Sequence, residues 1–421
     1  MRLTSAKSTL DWLWLVCSVS VLVLPLFPLM GAVGLLLVSI KVCQVYYRQI
    51  IANRLNQALG ILAVILIISS SLAEDSQSAW LGLANFLPFF WLFINLRMLI
   101  SKRIELRQLS WLLILPSLPI VILGLGQLFA AWQTIPLIEL ILGWELVPQG
   151  VPTGRMSAVF IYTNFLAIYL AIAFCLGLGL WLDTWQQQPS TKRLYLLLLL
   201  TLILCADLIG LILTSSRNAW GLAVISFMAY AVYLGWRWLI YAVTSATTVI
   251  AWASFAPDLG GRQLRQIVPA YFWARLSDQM YQRPVETLRI TQWQFCWNLI
   301  QSRPWFGWGL RNFTPLYEAK TGFWFGHPHN LFLMLGAEAG IFATLLLLAI
   351  IGSIIIQAVK LLNTWSDQQS HLLFFSYLVA FCGCILFNLA DVTIFDFRVN
   401  TISWVLLSAI SGVVTAKLPK A

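Results

Sequence analysis

Apolar residues in this chain fall in long blocks separated by short polar segments. Blocks of about 20 mainly apolar residues are long enough to cross a hydrocarbon core as helices. They predict helices over roughly 12–29, 30–47, 55–73, 79–96, 109–131, 156–182, 193–213, 218–235, 238–256, 330–357, 371–389 and 399–416. The blocks do not show the two-residue alternation of a membrane β-barrel, which leaves a helical bundle as the spanning structure. Between the first two blocks stands only Pro25 to Gly31, so 12–47 reads as one hairpin or as two spans. The first block follows Arg2 and Lys7 without a small-residue cleavage site and reads as a retained helix.

Composition supports the same picture. Of 421 residues, 60% are apolar and only 10% charged, and the mean hydropathy is +0.82. A soluble domain carries about 25% charged residues, so a cytosolic enzyme, a coiled coil, a disordered chain and a secreted disulfide scaffold are all excluded. Six of the seven cysteines lie inside apolar runs, with no CxxC or Cys/His spacing to suggest a disulfide framework or zinc site. The expected fold is an all-α integral membrane protein, a bundle of about twelve transmembrane helices. It divides into N-terminal helices over 1–256, a large, partly helical outer loop over 257–329, and three C-terminal helices over 330–421.

Basic residues orient the bundle. With the N-terminus inside, fifteen of the 26 Lys and Arg residues fall in inner segments, and only Arg155, Arg217 and Arg398 fall in short outer loops. The other eight lie in 257–329, whose length exempts it from the positive-inside rule. Both termini are therefore expected to be cytoplasmic.

Candidate chemistry gathers on the outer side. The loop 257–329 carries seven arginines and one lysine against Asp258, Asp278, Glu286 and Glu318. Arginine is the side chain suited to bidentate phosphate or carboxylate binding. The interleaved aromatics can stack on sugars or anchor the loop at the membrane interface. Pro284 to Arg303 reads as a largely apolar helix that sets Arg289 against the bundle. Arg303-Pro-Trp-Phe-Gly307-Trp-Gly309 reads as a tight turn, and Arg311 follows it. Phe325-Gly-His327-Pro-His329-Asn330 opens the next long helix with two of the chain's three histidines. Histidine is the side chain best able to accept a proton near neutral pH; the same pair could serve as metal ligands or cap the helix. No acidic or cysteine cluster completes a metal site. Thr214-Ser215-Ser216-Arg217 joins two spans and offers hydroxyls and backbone N–H groups around one cation. Glu338 enters the next span near the outer surface, where it could orient a partner.

In this order, these elements resemble the O-antigen ligase/polymerase family, bacterial membrane glycosyltransferases of the multi-span C-type fold. The matching residues are Thr214 to Trp220, Pro304 to Gly309, His329-Asn330 and Glu338-Ala-Gly340-Ile341, with a looser match in Arg155-Met-Ser157 and Asn164 to Ala167. The motifs cover about 155–345. Asn218 stands where the family commonly has glycine, and Tyr162-Thr163-Asn164 where it commonly has Asn-Pro-Asn.

The resemblance implies transfer of a glycan from an undecaprenyl-pyrophosphate carrier to an acceptor hydroxyl on a lipid, glycan or protein. The reaction would run at the periplasmic face of the inner membrane, without metal or cofactor. It implies His329 as the base and Arg217 and Arg289 as the pyrophosphate-binding cations. Of the two histidines, His329 is chosen because it adjoins the family's Asn. Ser216, Asn330, Arg311, Arg155, His327 and Glu338 are the further substrate-binding candidates. Membrane lipids are the other partners expected, and nucleic acid is not. A repeat-unit polymerase shares the scaffold. A transporter of bicarbonate-like anions or polysaccharide would need polar residues through the middle spans, where Asp207 stands nearly alone.

Overall fold

A computed structural model describes residues 2–277, 287–364 and 368–417, and over these the chain is helical with no β-strand. The first helix pair is α1 (Arg2–Val23) and α2 (Pro28–Ala52), so 12–47 forms two helices joined by a tight turn. They are followed by α3 (Arg54–Ser71), α4 (Ser76–Gly82), α5 (Leu87–Leu96), α6 (Arg103–Ile114), α7 (Ser117–Phe129) and a short α8 (Pro136–Leu142). The middle of the chain forms α9 (Thr163–Trp185), α10 (Thr191–Leu213), α11 (Arg217–Leu234) and α12 (Arg237–Phe255).

The outer segment contributes α13 (Gly261–Leu264), α14 (Ala270–Leu276), α15 (Arg289–Ser302) and α16 (Phe313–Thr321). The chain closes with α17 (Leu331–Glu338), α18 (Gly340–Thr364), α19 (Gln368–Phe387) and α20 (Phe397–Lys417). Each of the twelve expected stretches contains a helix. Among the described residues nine helices, or end-to-end helix pairs, are long and apolar enough to cross a membrane, and Leu10–Val23 and His371–Phe387 are shorter apolar helices.

The bundle is built around α9, which is buried on nearly every side and packs against α6, α10, α11 and α19. A helix apolar all round is one that belongs inside. Its small residues permit the close approach that drives helix packing in lipid: a Cβ on Gly179 would lie 1.8 Å from the Ser376 hydroxyl. That hydroxyl accepts from Tyr230 at 2.8 Å, tying α19 to α11. A second layer pairs α5 with α20 and α3 with α18.

Of the boundaries that differ from the sequence reading, three bear on the site. The helix expected from residue 156 begins at Thr163, because 149–162 is a loop, buried over 155–160, with Gln149 and Ala158 in left-handed conformation. Gln127 caps that loop, its Oε1 accepting from the N–H groups of Ser157 (3.1 Å) and Ala158 (2.8 Å). The helix expected over 330–357 breaks at Ala339, where Gly340 takes φ +82° and packs on the Trp305 carbonyl. The helix expected over 284–303 begins at Arg289; Pro284 lies outside the described residues.

Candidate active site

The candidate site forms where the N-terminal ends of α9 and α11 meet the 257–329 segment. The turn Thr214-Ser215-Ser216 is its hub. Ser215 is held at φ +50°, a region sparsely open to side chains with a Cβ, and Tyr271 of α14 bonds its hydroxyl and the Ile212 carbonyl. Arg155 donates through Nε to the Thr214 carbonyl (2.9 Å) and Arg275 through Nε to the Ser215 carbonyl (3.1 Å). Arg217, the first residue of α11, donates to the Leu276 carbonyl at 3.4 Å. Ser216 stands at the N-cap of α11.

Arg155, Ser216, Arg217 and Arg275 wall a cavity of about 260 Å³ together with Tyr162, Asn164, Asn218, Thr287, Arg289, Phe325 and His329. Four arginines, Arg155, Arg217, Arg275 and Arg289, line it, and among the described lining residues there is no carboxylate. The N-termini of α11 and α15 both open on it, and neither has a side-chain cap. The dipoles of these two helices add to the positive field there. The cavity is smaller than a drug-sized pocket of about 300–1,000 Å³, so it suits the reacting ends of a larger anionic molecule.

His329 lines the same cavity at φ +53°. Such a conformation in a non-glycine residue costs on the order of 1–3 kcal/mol and gathers at functional sites. Several contacts hold the loop in this shape. Trp293 donates to the Pro328 carbonyl (2.9 Å), Leu331 N–H to the Asn388 carbonyl (2.9 Å), and Asn330 Nδ2 to the Leu389 carbonyl (3.0 Å). This docking sets Asp391, between α19 and α20, behind the imidazole. His329 Nδ1 lies 3.4 Å from Asp391 Oδ1, and His327 Nε2 lies 3.7 Å from the same oxygen.

The backbone N–H of His329 donates to His327 Nδ1 (3.2 Å), so the His327 proton belongs on Nε2, facing Asp391. His329 in turn donates from Nδ1 to Asp391, which leaves its Nε2 as a proton acceptor. Asp391 also accepts from the Val392 N–H (2.9 Å) and from Asn164 Nδ2, while Asn164 Oδ1 accepts from Arg155 (3.2 Å). Burial opposes its ionisation, but the hydrogen bond from His329 and the charges of both imidazoles hold its carboxyl down at about 2. Burial pushes His327 down to about 4 despite Asp391 beside it.

Of the nine candidates, His329, Arg217, Arg289, Ser216 and Arg155 share the cavity. The other four stand elsewhere. His327 lies behind His329, stacked on Phe395. Asn330, rather than His329, caps α17, accepting from Phe332 and Leu333 N–H (3.1 and 3.0 Å). Arg311 is exposed and sits beside Gly82 of α4. Glu338 is buried and orients the Pro304–Gly309 turn instead of a site residue. Its Oε1 accepts from Phe313 N–H (3.0 Å) and its carbonyl from Gly309 N–H (2.8 Å).

Ser215 takes the left-handed conformation of this turn, and Asn218 does not. Asn218 is helical and donates to the Ala390 carbonyl (3.2 Å). Arg275 was one loop arginine among seven, and only its burial sets it apart. Asp391 corrects the view that no acid accompanies the histidines. His327, His329 and Asp391 place ligand atoms within 4.8 Å of one another, a set that could also hold a cation.

Residues 200–348 match the O-antigen ligase family model. The matched segment contains Arg217, Arg275, Arg289 and His329, four of the residues that wall the cavity. No curated protein matches the chain. The match supports a membrane glycosyltransferase of the ligase/polymerase kind, and the helices support a multi-pass membrane protein.

Proposed function

We propose that the protein is an O-antigen ligase-type glycosyltransferase of the bacterial inner membrane. It moves a glycan from an undecaprenyl-pyrophosphate carrier to an acceptor hydroxyl at the periplasmic face, without a metal. The observation that carries this reading is the meeting of four arginines and His329 at one cavity whose described wall holds no carboxylate. In the reaction, the acceptor oxygen attacks the anomeric carbon of the donor as its proton passes to His329 Nε2. The bond from that carbon to the pyrophosphate oxygen breaks, and the electron pair leaves with the carrier. Arg217 and Arg289 hold the pyrophosphate as its charge grows, and fixed charges of this kind often supply the largest share of a rate enhancement. Asp391 keeps the Nδ1–H tautomer of His329 and stabilises the imidazolium that forms. The arginines supply the positive charge that a metal-dependent transferase takes from its ion, which supports metal independence.

The test is transfer by the purified protein, given undecaprenyl-pyrophosphate oligosaccharide and a lipid acceptor, beside His329→Ala and with EDTA. A single shifted acceptor band, lost in the variant and unchanged by EDTA, is expected. A ladder growing on the carrier without acceptor would assign a polymerase instead. Loss with EDTA that zinc restores would place a cation among His327, His329 and Asp391.

A further inference from the structure

A second cavity, of about 830 Å³, lies at the opposite end of the bundle. Its position follows from two helices that begin or end at the outer segment. Near the end of α3 the Ser69 hydroxyl donates to the Phe306 carbonyl (2.6 Å), and Arg54 lies about 22 Å back along the same helix at 1.5 Å per residue. Gly340 packs on Trp305, and Gln357 lies about 25 Å further down α18.

One wall is a single face of α18, formed by Leu346, Ala349, Ile350, Ser353, Ile354 and Gln357. These residues recur at helical spacing of three and four. They run from apolar at mid-bundle to polar at the membrane edge over about 16 Å. Arg54 and Arg97 also line the cavity, at its polar end, and its described lining holds no carboxylate.

Arg97 is the informative residue because it is 6% exposed yet points into this space. Its guanidinium donates to Thr415 Oγ1 (2.6 Å), Asn56 Oδ1 (3.3 Å) and Asn53 Oδ1 (3.5 Å), all neutral oxygens. Those acceptors have other duties. Asn53 caps α3, accepting from Leu55 and Asn56 N–H, and the Thr415 hydroxyl donates to the Ser411 carbonyl. No carboxylate pairs with Arg97 among the described residues. Burial lowers its pKa only to about 10, so it stays charged at neutral pH. A buried cation without a counter-ion is costly, and a ligand bearing an anion at one end and hydrocarbon at the other fits both the charge and the slot.

We propose that this slot binds one anionic glycerophospholipid, its phosphate on Arg97 and Arg54 and an acyl chain along the apolar face of α18. The lipid comes from the leaflet away from the His329 cavity, the cytoplasmic one in the orientation expected from the basic residues. An apolar wall continuous with the polar end favours a lipid over a free phosphate.

The experiment uses the full-length protein, delipidated in detergent and titrated with dioleoylphosphatidylglycerol. Bound lipid is counted by native mass spectrometry, with dioleoylphosphatidylcholine and sodium phosphate as separate arms. One phosphatidylglycerol per chain is expected, held at least about tenfold more weakly in Arg97→Gln, as for loss of a charge-assisted contact. Ser353→Trp fills the slot and leaves the Arg97 hydrogen bonds intact, so it should block binding in a folded protein. Arg97→Lys should retain part of the affinity. Equal binding of phosphatidylcholine, or unchanged affinity in both Arg97→Gln and Ser353→Trp, overturns the proposal. Thermal stabilisation by sodium phosphate equal to that by the lipid would overturn the lipid assignment and leave a phosphate site.

Discussion

Replacing Asp391 with Asn tests the proposed mechanism at its least obvious residue. The substitution keeps the size of the side chain and removes the charge behind His329. In the reaction an imidazolium forms at His329 with Nδ1 3.4 Å from Asp391 Oδ1. At that separation and an effective dielectric of about 20, the attraction is about 5 kcal/mol. The His329 side chain keeps 19% of its surface exposed, and solvent screening there reduces the term to about 3–4 kcal/mol. Asp391→Asn should therefore lower kcat roughly 10²–10³-fold at about 1.4 kcal/mol per decade. KM for the lipid-linked donor should change little, because the arginines that hold the pyrophosphate are untouched. Since the carboxyl is held down at about 2, it stays ionised throughout the usual assay range. The assay is glycan transfer to lipid acceptor under donor saturation, with a thermal melt to show that the variant is folded. A folded Asp391→Asn protein with wild-type kcat would refute the assignment of Asp391 as the partner of the base.

Three further outcomes are expected. Arg217→Ala and Arg289→Ala should each nearly abolish turnover, and Lys at either position should rescue little, because an ammonium lacks the planar fork that grips a pyrophosphate; normal transfer by Arg217→Ala would remove it from the site. His327 has a folded pKa near 4 against 6.5 for the free side chain. The folded protein thus binds fewer protons, and the stability His327 contributes, full above pH 6.5, is lost as pH falls through 4. The drop in melting temperature across that window should shrink in His327→Gln, and an unchanged drop would show that His327 is not its source. Gly307→Ala sets a Cβ 2.4 Å from the Glu338 carbonyl at φ +67°, and should lower stability by about 2–4 kcal/mol in a denaturation series.

Much of the architecture is legible in the sequence because hydrophobic length is a local property. The blocks at 55–73, 193–213 and 238–256 begin and end within about two residues of α3, α10 and α12. Boundaries set by distant partners are not legible in this way. The stretch 156–162 passes for the start of a helix because it is mainly apolar, and the partner that takes its Ser157 and Ala158 N–H groups is Gln127, more than twenty positions earlier. The site shows the same division. Arg217 and His329 are recognisable from their neighbours, since each stands at or just before the start of a helix after a turn; Arg289 is expected inside a helix from Pro284, whereas it is the first residue of α15. Asp391 has no such local mark. It enters through the docking of the 327–331 loop on Asn388 and Leu389, 62 residues from the histidine it serves. Glu338 is the complementary case: an acid near the end of a span suggests chemistry, and its bonds in the fold go to the backbone of the Pro304–Asn312 turn and Phe313.

The Thr214–Ser216 turn has a mechanical consequence. Two of the cavity's arginines hang from its carbonyls, Arg155 and Arg275, and a third, Arg217, follows it directly in the chain. Tyr271 and Arg275, both on α14, clasp the turn from outside. Three like charges are therefore geared to one short piece of backbone, so a rocking of α14 moves them together. Under the proposed reaction, the spent carrier carries the same pyrophosphate as the donor. It would let go when this gear turns, in a single concerted step instead of by the loss of one contact after another.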